Sequence, residues 1–309
     1  MPYRQVKNIS FHNRFFDNCL EIINFAENNV LFTMNIVYFV IGDSTVIHIQ
    51  VGFSIRTILS QTSDEDTIYV VTDTPTMYCN LPHVVTIPIT QERIKEWRGK
   101  HDFFWRVKIK VLQQIAQTSP DKAMMYLDGD TFLHGSLMEI KEQLGKNRGM
   151  MHLDEGCPSQ MKERSLSMWH TVNGKTYAGA TIGPQHHMWN AGVVAIPASL
   201  VGKVTDMALA VCDGMLDDGS EPVTVEQYAL SIALYECADQ LIAADKWIGH
   251  YWHDKYHWCS YIAKFFVKAY RLNYTIDEQI EKIRQTDLAW VHKRLLIKRT
   301  LAKFLGMIH

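Results

Sequence analysis

Asp128 and Asp130 stand one glycine apart in "MMYLDGDTFLHGS", directly after a mostly apolar run that reads as a buried strand. Two carboxylates this close repel each other unless a cation sits between them. A divalent metal meets that need with oxygen ligands and can hold a phosphate at the same time. The plain alternative is a polar turn that ends a strand. Other chemistry-bearing residues lie further on: Asn190 in "WNAGV", Glu226 and Gln227 in "VEQY", and His250 and His253 in "GHYWHDK". Each has a structural explanation of its own. An Asn can hold a turn, a helical Glu is usually solvated, and a His among aromatics is usually packed and hydrogen-bonded. Arg106 and Lys110 are four apart and share a helix face, where surface charge is the ordinary outcome.

The elements that must position these groups are legible as punctuated apolar runs. "NIVYFVIGD" is β-branched and aromatic and closes at Gly42 and Asp43; the next segment, to Gln61, reads as a helix capped by Ser44. "DTIYVVTDTP" is a second strand ending at Asp73, "HVVTIPI" a third, and "FFWRVKIKVLQQIAQ" a helix ahead of the Asp128 strand. Strands alternating with helices imply an α/β fold with a mainly parallel central sheet flanked by helices, which binds ligands at the strands' carboxyl ends. Asp43, Asp73, Asp128 and Asp130 all fall at such ends. Segment 151–188 lacks clear periodicity and is rich in Gly, Ser, His, Met and Trp, which suits a binding loop or lid. Trp169, Tyr177, His152, His170, His186 and His187 are the groups expected to meet a sugar there. The expected organisation is an N-terminal extension (1–34), one catalytic domain (35–255, with 151–188 as an acceptor or lid insert) and a helical tail (256–309).

Composition narrows the partners. At 309 residues, 47% hydrophobic and 21% charged, the chain is globular, and a net charge of −2 gives no reason to expect nucleic-acid binding. Six scattered cysteines form no CxxC pair and suit a reducing, cytoplasmic compartment. The most apolar run, "NVLFTMNIVYFVI", is too short and too interrupted to span a membrane. The terminal stretch 291–309 is basic, with Ile297, Leu301, Phe304, Leu305 and Ile308 on one helical face, a pattern suited to lying on an anionic membrane surface. Packing on the catalytic domain is the competing use of the same helix.

"LDGDT" locally resembles the nucleophile motif of haloacid-dehalogenase-type phosphatases, which would make Asp128 a nucleophile, with Asp217 and Asp218 as a later acidic pair. More than 120 residues precede the motif, whereas that family usually opens with it. A longer series of motifs, in order, resembles retaining nucleotide-sugar glycosyltransferases with the GT-A fold, of the glycogenin and lipopolysaccharide galactosyltransferase type (family 8-like), over about 35–255. The resemblance implies a Rossmann-like catalytic domain. It also implies Mn²⁺ or Mg²⁺ held by the DxD carboxylates and His250, with hexose, glucose or galactose, moved from a UDP-sugar to a glycan or glycolipid. Ile41, Gly42 and Asp43 would lie at the nucleobase and ribose, with Asp73 at the neighbouring strand end. Arg106, Lys110, Gly129 and Lys255 would lie near the diphosphate; Asn190, Ala191 and Gly192 near the sugar; Glu226 and Gln227 at its reacting face. The late motif lacks the family's usual Gly and Lys-Pro-Trp continuation, which leaves His253 as a competitor of His250. A catalytically inactive nucleotide-sugar binding protein remains a third reading.

Overall fold

The structure, a computed structural model, describes residues 33–304 except positions 163 and 222. Nearly all of the 1–34 extension, together with Leu305 and Ile308 of the terminal segment, lies outside the described residues.

The protein is mixed α/β. Its sheet is assembled from β1 (Met34–Val40), β2 (Thr67–Thr72), β3 (Val84–Pro88), β4 (Ala123–Leu127), β6 (Arg148–Met151), β11 (Val193–Ile196) and β12 (Gln240–Ala243), in the order β12-β6-β11-β4-β1-β2-β3. β1 pairs in parallel with β2 and β4, β2 with β3, and β12 with β6; only β11 runs antiparallel to its neighbours β4 and β6. Both faces are covered, which is why these strands read as near-continuous apolar runs rather than alternating ones. Ile36, Tyr38 and Val40 pack with Ile55 of α1 (Thr45–Leu59) and with Ile140 of α4 (Leu137–Gly145). Val37, from the opposite face, packs with α3 (Arg106–Thr118), α6 (Val201–Asp217) and α7 (Val225–Cys237). Ser44 occupies the N-cap position of α1, but its side chain makes no capping bond.

A third apolar cluster ties the C-terminal helices to this domain. α8 (Lys255–Arg271), α9 (Ile276–Arg284) and α10 (Leu288–Phe304) contribute Trp258, Ile262, Ile283, Leu288, Val291 and Leu295 to a core shared with Phe53 and Phe132. Trp258 stacks on Phe132 at 4.3 Å and on Tyr251 at 4.8 Å. Further along α10, Ile297, Leu301 and Phe304 are exposed. Among the described residues no helix is long and apolar enough to cross a membrane.

Segment 151–188 differs from its expected irregularity. It holds β7 (Asp154–Gly156), α5 (Arg164–Val172), the β8–β9 hairpin (Thr176–Tyr177 with Ala180–Thr181) and the start of β10 (Met188–Trp189). Of the six groups expected to meet a sugar there, Trp169, Tyr177, His152 and His186 are buried, while His170 is exposed and His187 half-buried. The nine residues of α5 are too few to show a clear helical period, and its Met168, Trp169 and Val172 stripe faces the core.

One buried ion pair holds the sheet's first strand to the layer beside it. Asp66 accepts Met34 N–H at 3.0 Å, Ser63 N–H at 2.9 Å and the Lys141 ammonium at 2.6 Å, and neither charged side chain is more than 5% exposed. Removing only the cation leaves a buried carboxylate with its solvation lost, so Lys141→Met should lower unfolding stability by about 3–5 kcal/mol. Urea unfolding measures it.

Candidate active site

β4 ends at Leu127 and the chain turns at once, placing Asp128, Gly129 and Asp130 before the short strand β5 (Thr131–Leu133). β5 pairs antiparallel with β13 (Ile248–His250), with His250 opposite Thr131. This pairing brings a residue 120 positions away to the two carboxylates: His250 Nε2 lies 3.2 Å from Asp130 Oδ1 and 4.0 Å from Asp128 Oδ2. One ligand atom from each of Asp128, Asp130 and His250 falls within 4.8 Å of the others. Octahedral ligands at ~2.1 Å from a cation sit ~3 Å apart, so the spacing suits a divalent ion with little adjustment.

The hydrogen bonds around His250 define its free nitrogen. Asn190 Nδ2 donates to Glu155 at 3.1 Å, while its Oδ1 accepts Gly192 N–H at 3.1 Å. That oxygen also lies 3.1 Å from His250 Nδ1, which must therefore carry the proton. In the neutral ring, Nε2 then presents a lone pair toward Asp130 Oδ1. Two acceptors 3.2 Å apart need a cation between them, or a second proton on the ring. A histidine fixed through Nδ1–H with Nε2 free is the usual arrangement of a metal ligand. Gly192 is required here for space, because a Cβ at that position would run into the His250 ring.

Two lysines balance the acids. Lys255, at the first position of α8, reaches Asp130 Oδ2 at 2.9 Å. Burial alone would raise the Asp130 pKa, but the hydrogen bond and charge of His250 and the nearby Lys255 hold it well below the usual carboxylate range. Lys108, not singled out in the sequence, is the buried one. Its ammonium lies 2.9 Å from Glu226, donates to Ala191 O at 2.7 Å and sits 4.4 Å over the Tyr126 ring, 3.8 Å from Asp128. Burial opposes its charge, but Glu226 and Asp128 outweigh this and raise its pKa. Its signal in the sequence was position: Lys108 shares a helix face with Val111, Leu112 and Ile115, all buried.

The remaining expected residues divide in placement. Gln227 accepts Ala191 N–H at 3.2 Å and donates to Glu155 at 3.0 Å, so Glu155 binds the amides of both Asn190 and Gln227. Nothing in the sequence marks Glu155; it arrives through the pairing of β7 with β10. Ile41, Gly129 and Lys255 line a cleft of about 290 Å³ with Asp128, Phe104 and Trp105. Gly42 turns with φ +93°, and its N–H donates to Asp73 at 3.0 Å, so Asp73 anchors this turn; Asp43 is exposed beside it. Arg106 and Lys110 are not brought to the cluster. The Arg106 guanidinium grips Asp213 at 2.6 and 2.8 Å and donates to Trp97 O, while Lys110 bonds Gln113. Two residues are about 200° of helix, so both turn away from the side that Lys108 occupies. Asp217 and Asp218, the acidic pair of the phosphatase reading, bind Lys100, His101, Lys175 and Tyr177 at the end of α6. His253 lines a separate cavity shared with His250.

No family model matches the chain, and no curated protein does. Among solved structures, the protein is similar to the crystal structure of the galactosyltransferase LgtC in complex with donor and acceptor sugar analogues, with 16% sequence identity and a TM-score of 0.46. The match covers 68% of this chain and 73% of the other. At that identity the likeness is one of fold alone.

Proposed function

We propose that this protein is a divalent-metal-dependent retaining glycosyltransferase that moves a hexose, glucose or galactose, from a UDP-sugar to a glycan or glycolipid. The observation that carries the proposal is the Asp128–Asp130–His250 triad, with His250 fixed through Nδ1 by Asn190. The reading is strengthened by what surrounds it: the cleft on one side, and the Asn190, Gln227 and Glu155 network on the other. Uridine, the hexose and retention rest on the motif resemblance.

Mn²⁺ or Mg²⁺ held by the triad would neutralise the charge that develops on a leaving nucleoside diphosphate. Lys255, paired with Asp130 at 2.9 Å on a mostly exposed side chain, would be within reach of the diphosphate when the carboxylates hold the ion. Lys108 pairs with Glu226, lies 3.8 Å from Asp128 and fixes the Ala191 carbonyl. Phe104 and Trp105 offer apolar faces to the base. In the transfer, the bond from the anomeric carbon to the diphosphate oxygen breaks and one to the acceptor oxygen forms. The acceptor's hydroxyl proton passes to the leaving phosphate oxygen. Glu155 is the exposed carboxylate nearest the Asn190 and Gln227 amides and, with them, orients sugar hydroxyls. The basic residues of α10 beside exposed Ile297, Leu301 and Phe304 support peripheral contact with an anionic membrane on the cytoplasmic side.

Calorimetric titration with UDP, UDP-glucose and UDP-galactose, with and without Mn²⁺, tests the central reading. Metal-dependent nucleotide binding is expected in wild type and absent after Asp128→Ala, Asp130→Ala or His250→Ala. Asn190→Ala should weaken metal affinity about 10–100-fold, the usual cost of losing a group that orients a ligand. If no nucleotide binds in a metal-dependent way, the proposal is wrong. Glu155→Gln should lower turnover by at least about ten-fold, as for other lost positioning contacts, with UDP affinity unchanged. Co-sedimentation with phosphatidylserine vesicles, reduced in an Ile297→Ser/Leu301→Ser variant, checks the membrane contact.

A further inference from the structure

His250 belongs to two spaces. Its Nε2 faces the carboxylates, while its ring also lines a cavity of about 450 Å³ whose wall shares no residue with the cleft beside Asp128. The wall is made by the end of β5, the turn after β6, the segment from β13 into α8, and α10. Five of its residues are histidines, at 134, 152, 250, 253 and 292, and Arg299 adds a fixed positive charge. Against these stand Asp245, exposed at the rim, and Asp254, buried and bound to His257 at 2.6 Å.

Three features say what chemistry this wall is prepared for. The first is Arg299, which is half-buried and forms no ion pair with a carboxylate among the described residues. A guanidinium in that state matches an oxyanion with two parallel N–H bonds. The second is an available nitrogen: His292 accepts from Trp258 Nε1 at 3.1 Å on Nδ1, so its proton sits on Nε2 and remains a donor. The third is Trp252, 44% exposed on the same wall, an apolar plate beside polar groups. α10 presents His292, Leu296 and Arg299 to the cavity while Val291 and Leu295 anchor it in the core.

We propose that this cavity is the acceptor subsite and that it takes a saccharide bearing an anionic group, a phosphate or a carboxylate. The negative group lies toward Arg299 and His292, and a sugar ring lies on Trp252. The assignment rests on the glycosyltransferase reading. It limits the part of the 151–188 insert that meets the acceptor to His152 and Leu153 and adds a wall completed by the C-terminal helix.

The test uses the full-length protein saturated with Mn²⁺ and UDP, so that the diphosphate position is already filled. Binding of galactose, galactose 6-phosphate and galacturonate is then measured by saturation-transfer NMR. At least one of the charged sugars should bind about ten-fold or more tightly than galactose, the scale of a hydrogen bond to a charged group. Which of them does so separates phosphate from carboxylate. Arg299→Gln should erase that advantage, Trp252→Ala should weaken charged and neutral sugars alike, and both variants should retain wild-type UDP affinity and melting temperature. Equal binding of charged and neutral sugars, or an advantage that survives Arg299→Gln, overturns the inference. Loss of metal-dependent UDP binding in the wild type would instead overturn the transferase reading, so the two failures are told apart.

Discussion

The structure around the end of β4 is governed by the need to hold three carboxylates, Asp128, Asp130 and Glu226, in one place, with Asp130 and Glu226 largely withdrawn from bulk water. Charges in such a place must be paired or metal-bound. Lys108 takes up the burden from inside, between Glu226 and Asp128, and cannot leave because its stem is enclosed. Lys255 takes it up from outside, on a side chain that is mostly exposed and free to swing. One cation is therefore permanent and the other exchangeable, and the exchangeable one faces the metal position.

The second constraint is the chain of hydrogen bonds from Glu155 through Asn190 to His250. The amide of Asn190 is oriented by a donor bond at one end and two acceptor bonds at the other, which settles the histidine's tautomer without reference to any ion. Gln227 is held by the same Glu155 carboxylate. The geometry of the histidine and the two side-chain amides are thus parts of one network, built by residues from β7, the turn before β11, α7 and β13.

Much of this was legible in the sequence, and the limits have physical causes. The parallel strands announced themselves because burial on both faces makes them continuously apolar, as in "NIVYFV" and "AMMYL". Asp128 and Asp130 stood out as carboxylates at the end of such a run, and Asn190, Gln227 and His250 through the series of motifs in order. Arg106 and Lys110 were attractive by charge, but one helix has several faces, and the lysine turned inward was Lys108. Glu155 carried no signal, since it lies in a segment whose strands are two or three residues long and show no period. The aromatics of 151–188 were read as open because composition speaks to what a side chain can touch and not to which way it points. The helices after 255 looked like an appendage because their partners, Phe53 and Phe132, are far away along the chain.

The reversal of β11 has a consequence for how such a protein can change. In a parallel strand the residues that enter the ligand region come after the strand, so a new loop there disturbs whatever follows. β11 runs the other way, and its ligand-side residues, Asn190 to Gly192, come before it. Segment 152–187 therefore ends just before these residues, and the ladder to β4 and β6 locks the register immediately afterward. Changes in that segment alter what surrounds the site while the histidine, its amide and the two aspartates stay in place, provided Glu155, which orients the amide, is kept. A single antiparallel strand acts here as a splice point between a part that can diverge and a part that cannot.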